Sequence, residues 1–175
     1  MSELSGVYIP QLRIRERKIN LRDGFGRTID YMRISVTDRC NLRCRYCMPD
    51  GVECVPMADI LTLEESARIA ACSALLGIRK IKITGGEPLV RLGCCRFVRM
   101  LKDTRGIEKV TITTNGILLE QYVDQLVEAG IDGINISLDT LDPLKYQQIT
   151  KKDAFMEVYS AIGKALNYEK LKVKI

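Results

Sequence analysis

The chain has 175 residues, 46% hydrophobic and 28% charged, which is the length of one domain with enough apolar material for a core and excludes a disordered chain. Lys and Arg number 27 against 22 Asp and Glu, a formal charge of +5 broken by acids even in the basic stretch from Arg13 to Arg27, which argues against a nucleic-acid-coating protein and suits an anionic small ligand. There is no His, so histidine zinc sites, Ser-His and Cys-His nucleophiles and a histidine general base are excluded, and no apolar run reaches the roughly 18 residues of a membrane helix.

Met1 to Asp30 shows no clean period and carries Arg13, Arg15, Arg17 and Lys18, then Asp23-Gly24-Phe25-Gly26-Arg27. It reads as a partly solvated arm over residues 1–22 that leads into a domain beginning at residue 23. It lacks the hydrophobic stretch of a signal peptide, so a soluble, cytoplasmic protein is expected. From Tyr31 the pattern becomes regular. Tyr31 to Thr37, Lys80 to Thr84, Val110 to Thr114, Gly133 to Asp139 and Lys172 to Ile175 read as strands. Thr62 to Leu76, Arg91 to Asp103, Leu119 to Ala129 and Phe155 to Asn167 read as helices. Thr62 with Glu65 three residues on predicts a capping box, and Gly77 stands where a C-terminal cap belongs. Strands joined by helices imply an α/β fold with a parallel sheet and right-handed crossovers.

The strands share a second property. Apolar residues keep one parity: Ile34 and Val36, Ile81 and Ile83, Val110 and Ile112, Ile134 and Ile136, Val173 and Ile175. The other parity is polar and holds Arg33, Ser35, Lys80, Lys82, Thr84, Thr111, Thr113, Asn135, Ser137, Lys172 and Lys174. A parallel sheet covered on both faces reads as continuous hydrophobic runs, and an ordinary barrel fills its lumen with Val, Ile and Leu. With the apolar parity under the helices, the sheet would curve around a polar interior suited to an anion; an antiparallel-like sheet with one face in water would alternate in the same way.

Chemistry concentrates where the first strand ends, in Thr37-Asp38-Arg39-Cys40-Asn41-Leu42-Arg43-Cys44-Arg45-Tyr46-Cys47-Met48-Pro49. The seven cysteines are an odd number, and three of them in one short window do not make a secreted disulfide framework. The spacing C-x3-C-x2-C supplies three thiolates on one loop, which leaves one iron of a four-iron cube open to a substrate or cofactor. A zinc site completed by Cys54, or unligated reduced cysteines, are the alternatives.

This loop, with Tyr46 before its last cysteine, resembles the radical S-adenosylmethionine (SAM) superfamily. Phe25-Gly26-Arg27, Arg33 to Cys44, Tyr46-Cys47-Met48-Pro49, Thr84-Gly85-Gly86-Glu87-Pro88-Leu89, Thr113-Thr114-Asn115-Gly116 and Asn135 to Pro143 look, more narrowly, like the GTP 3′,8-cyclases of molybdenum cofactor (molybdopterin) biosynthesis. The resemblance implies a partial (β/α) barrel of the radical SAM type, with parallel strands and outer helices, truncated in the fifth strand. It implies a 4Fe-4S cluster on Cys40, Cys44 and Cys47, and SAM held by Tyr46, Gly85, Gly86, Glu87 and Ser137. GTP would lie on Arg33, Lys82, Thr113 and Lys174, all four on the polar parity. An electron donor and a downstream cyclic pyranopterin synthase are the implied partners, with neither nucleic acid nor membrane, and no side chain beyond the cluster and SAM ligands is expected to be catalytic.

The chain also departs from that pattern. Lys82 stands where the family usually has Arg, Leu92-Gly93-Cys94-Cys95 follows Arg91, and Lys151-Lys152 replaces a Gly-Arg pair. Residues 23–175 are expected to be the N-terminal half of the core, with the C-terminal region that carries a second, guanine-binding cluster absent. The isolated chain is then expected to cleave SAM at best slowly, without cyclising GTP, and to self-associate through an exposed edge strand. A cluster- and SAM-binding module without cyclase activity, or another radical SAM enzyme sharing only this half, remain as other readings. Cys72, with Ile69 and Leu76 at helical spacing, reads as core, and Cys94-Cys95 as incidental.

Overall fold

The computed structural model describes residues 21–48, 50 and 53–175; the expected arm over 1–22 lies almost wholly outside the described residues. Ten elements follow one another: β1 (Tyr31–Ser35), α1 (Leu63–Leu75), β2 (Lys80–Thr84), α2 (Cys94–Lys102), β3 (Lys109–Thr114), α3 (Leu119–Glu128), β4 (Gly133–Ile136), α4 (Pro143–Thr150), α5 (Phe155–Leu166) and β5 (Lys172–Lys174). The strands form one open sheet in the order β1-β2-β3-β4-β5, and every pairing is parallel. The antiparallel-like alternative is thereby excluded.

The alternation in the sequence becomes two unlike faces. Ile81, Ile83, Val110, Ile112, Ile134 and Ile136 are buried in one core with Ala67, Ala70, Phe97, Leu101, Val123, Leu126, Val158 and Ile162 of the helices. Each fully buried aliphatic side chain of this kind stabilises the fold by about 1.5–3 kcal/mol. The polar parity stays half-buried or exposed, so the helices cover one face and leave the other to polar groups. Register aligns these groups in rows: Arg33 beside Lys82 beside Thr111, and Thr113 beside Asn135 beside Lys174.

Local chemistry sets the element ends. Thr62 Oγ1 accepts from Glu65 N at 3.1 Å and Glu65 Oε2 accepts from Thr62 N at 2.8 Å, the reciprocal capping box. Gly77, at φ 104°, reverses the chain in the left-handed region after α1. α2 starts at Cys94, not Arg91, because a 3-10 turn over Pro88–Val90 and then Gly93 at φ 83° intervene. β1 and β4 are each shorter than expected, yet the ladder continues beyond them: Val36 N donates to Thr84 O and Ser137 N to Thr114 O, both at 2.9 Å. α4 was not expected. Its N-cap Asp142 accepts from Leu144 N at 2.9 Å and Lys145 N at 3.2 Å, with Pro143 in the first turn, a start signal present in the sequence.

The structure corrects the reading of Cys72 as core. α1 buries Leu63, Ser66, Ala67 and Ala70, whereas Ile69, Cys72 and Leu76 lie on the neighbouring face and are exposed. The helix lies by the β1 edge of the sheet, with Ser73 Oγ against Met32 Sδ at 3.4 Å, and among the described residues it packs on one helix, α2. Cys94 by contrast is a core residue, and burial pushes its thiol up to about 12. Among the described residues no helix is long and apolar enough to cross a membrane.

Candidate cluster and nucleotide site

The three-cysteine loop leaves β1 at the carboxyl end of the sheet and is pinned from both sides. On one side Gly86 N donates to Thr37 O at 2.7 Å and Glu87 N to Arg39 O at 2.8 Å, so the Gly-Gly turn after β2 lies against the loop's backbone. A Cβ at Gly85 would stand 2.6 Å from Thr37 O, and one at Gly86 2.4 Å from Arg39 O. The space that the two missing side chains leave is thus taken up by the loop itself. On the other side Arg43 N donates to Thr150 O at 3.1 Å and Arg45 N to Ile149 O at 2.9 Å, which docks the cysteine segment on the last turn of α4. Arg43 also reaches back, donating from one guanidinium nitrogen to Cys40 O at 2.8 Å and Leu42 O at 2.7 Å.

The three thiols sit within electrostatic reach of one another. Cys44 is held above its usual pKa by burial first, then by Cys40, Asp139 and Cys47. Cys40 Sγ accepts from Leu42 N at 3.4 Å and from Asn115 Nδ2 at 3.8 Å. Among the described residues no three His, Cys, Asp or Glu side chains converge tightly enough to hold a single metal ion. Three soft sulfur donors on one compact loop, in a chain with no His, are a donor set that fits an iron–sulfur cube with an open iron.

Two further contacts draw the strand ends together. Tyr46 Oη donates to Asp139 Oδ2 at 2.9 Å, which ties the cysteine loop to the segment after β4; partial burial and that carboxylate together raise the phenol's pKa. Glu87 is 1% exposed, and its carboxylate accepts from Leu89 N at 3.0 Å, Thr114 Oγ1 at 2.8 Å and Asn115 N at 2.7 Å. Burial nonetheless keeps its pKa above the ordinary carboxylate value, against the pull of those bonds. Sequence reasoning assigned Glu87 to a cofactor; here its oxygens tie the β2 turn to the end of β3.

Below this rim lies the polar sheet face. Lys82 and Thr113 are half-buried, and Arg33 and Lys174 are exposed. The eight ion pairs among the described residues involve none of Arg33, Lys82 or Lys174. Cations without an ion pair among the described residues, on the polar face of the sheet whose carboxyl edge bears the cysteine loop, favour an anionic ligand. Asn115, Asp139, Arg43 and Arg91 were given no role from sequence, and all four hold the loop or its surroundings. The guanidinium of Arg91 donates to Val36 O and, at 2.6 Å, to Leu61 O. Asn115 was the legible one, standing in Asn-Gly just beyond a strand end.

A family model described as the Radical SAM superfamily matches residues 34–173. The chain is 50% identical over 151 residues to a GTP 3′,8-cyclase of Peptoclostridium acidaminophilum, covering 86% of this chain and 46% of that one. It is 46% identical over 159 residues to a GTP 3′,8-cyclase of Chlorobaculum tepidum, covering 91% and 48%, so it spans about half the length of the curated relatives it matches. Among solved structures, HydG, a maturase of the FeFe-hydrogenase, superposes with a TM-score of 0.65 at 19% identity over 82% of this chain and 34% of that one, a likeness of fold.

Proposed function

Because the chain belongs to the radical SAM superfamily, whose cofactors are a 4Fe-4S cluster and SAM, we propose that it provides the cluster- and SAM-binding half of a GTP 3′,8-cyclase, converting GTP to 3′,8-cyclo-GTP in molybdenum cofactor biosynthesis. The observation that carries this reading is the placement of unpaired Arg33, Lys82 and Lys174 on the open polar face of the sheet whose carboxyl edge bears the cysteine loop. The relatives named GTP 3′,8-cyclase support the choice of nucleotide.

When bound, the cluster and SAM supply one-electron cleavage of SAM and, from it, hydrogen abstraction at the ribose of the nucleotide. Cys40, Cys44 and Cys47 would hold the cluster, and Gly85-Gly86 keep the β2 turn against the loop, where its backbone carbonyls would accept from the amino group of SAM. Tyr46, fixed by Asp139, and Ser137 would contact SAM. Glu87 positions this rim without acting on the substrate. Lys82 and Lys174 meet the phosphates, Lys82 as a point charge without the bidentate fork of an arginine, while Arg33 and Thr113 fix orientation. The radical step needs position and shielding and no side-chain base, in keeping with a chain that has no His. Residues 23–175 act as the core, in the cytoplasm, with a low-potential electron donor and a cyclic pyranopterin synthase that takes the product.

Anaerobic reconstitution with iron and sulfide tests the reading. The protein is expected to bind about four irons as one cube, to lose them in Cys44→Ala and to keep them in Cys72→Ala, and to release 5′-deoxyadenosine from SAM under a strong reductant. Equal iron in the two variants overturns the cluster assignment. GTP affinity unchanged by Lys82→Ala and Lys174→Ala overturns the placement of the nucleotide.

A further inference from the structure

We infer that Asn115 raises the reduction potential of the cluster by donating a side-chain N–H to the Cys40 thiolate, a role that rests on the cluster assignment proposed above. Nδ2 of Asn115 stands 3.8 Å from Cys40 Sγ and donates to Asn41 Oδ1 at 2.7 Å. The other end of the amide fixes its orientation. Oδ1 accepts from Ile117 N at 3.1 Å, a bond that an NH2 group could not accept, so both Nδ2 hydrogens are aimed at the cysteine loop.

The residue that carries the amide is itself held. Its backbone N–H donates to Oε2 of the buried Glu87 at 2.7 Å, and Thr114 Oγ1 donates to Oε1 at 2.8 Å. The amide therefore keeps its place whether or not the thiolate is there to receive it. Leu42 N, at 3.4 Å, is a second donor to the same sulfur. Both of these donors from other residues fall on Cys40, whereas Cys44 is approached by its own backbone N–H, so the donation is weighted toward one ligand of the three.

A thiolate that accepts N–H bonds passes less charge to its iron and stabilises the more negative, reduced cluster. Asn115 thus eases the uptake of the electron that starts the chemistry and biases it at the iron bound by Cys40. It acts through the thiolate and touches neither SAM nor nucleotide, which makes it a positioning and tuning residue.

The test is a redox titration of the reconstituted protein followed by EPR. Asn115→Leu is expected to hold the same iron as the wild type and to be reduced at a more negative potential, and Asn115→Asp at a more negative one still, since a carboxylate replaces a donor. Unchanged potentials in variants that carry full iron overturn the inference, whereas a wild-type protein that binds no cluster overturns the function proposed above. Should neither variant load iron, a protein with the Asn41→Ser substitution and 15N in its asparagine side chains decides. Its reduced cluster is expected to show a weak 15N hyperfine coupling, and the lack of that coupling overturns the inference.

Discussion

Gly86→Ala places a methyl carbon 2.4 Å from Arg39 O and 2.6 Å from Asp38 O. Both are backbone atoms, which cannot swing aside as a side chain can. The β2 turn and the cysteine loop must part, and the bonds that join them there are Gly86 N to Thr37 O at 2.7 Å and Glu87 N to Arg39 O at 2.8 Å. Losing both costs about 2 kcal/mol, and residual crowding adds about 1–3 kcal/mol, so a destabilisation of about 3–5 kcal/mol is expected. Gly24→Ala is the control, because nothing lies within 4 Å of the added carbon, and its effect should stay within about 0.5 kcal/mol. Urea denaturation followed by circular dichroism measures both. A Gly86→Ala protein within about 1 kcal/mol of the wild type would refute the claim that the two loops are in backbone contact.

Three further outcomes follow from the same geometry. Because the folded-state pKa of Glu87 is raised by burial, its contribution to stability is present below the ordinary carboxylate pKa and is lost as pH rises through the folded value; the stability deficit of Glu87→Gln should therefore shrink between pH 4 and 7.5, and a deficit that grows refutes the sign. Lys151 closes α4 at φ 61°, a conformation that glycine adopts at no steric cost, so Lys151→Gly should stabilise by about 0.5–1 kcal/mol and raise Tm. Among the described residues the outer sides of β1 and β5 carry no neighbouring strand and Ile175 beside β5 is 62% exposed, so self-association is expected in sedimentation at micromolar concentration, against which a monodisperse monomer would count.

The order of the fold was legible because its signals are local. Alternation in Lys80 to Thr84 and Val110 to Thr114 fixes which face goes under the helices, and Thr62 with Glu65 fixes where α1 begins. The cysteine loop was legible for the same reason, since its spacing lies within one short segment. What sequence reasoning left out depends on distant pairings. Neither Arg43 with Thr150 nor Glu87 with Asn115 has a local pattern, and a buried carboxylate held by three donors looks in sequence like any other glutamate. The stripe at Ile69, Cys72 and Leu76 misled because helical period shows that a face is apolar and not whether anything packs on it. α4 was missed although Asp142-Pro143 announced it, its short length giving too little apolar period to register.

The docking of the cysteine loop on α4 bears on the order in which the chain can assemble. Arg43 and Arg45 belong to the first strand–helix unit and take their acceptors, Thr150 and Ile149, from the fourth. Closing so long a stretch costs chain entropy before the contact returns any free energy, and folds dominated by such contacts form slowly. The loop is therefore expected to take its final arrangement late, once α4 is in place to receive it. In a nascent chain Cys40, Cys44 and Cys47 are ordinary accessible thiols, and loading of iron before the fourth unit is made would meet a loop without its floor. On the proposed cysteine ligation, cluster insertion is accordingly expected to follow the docking of α4.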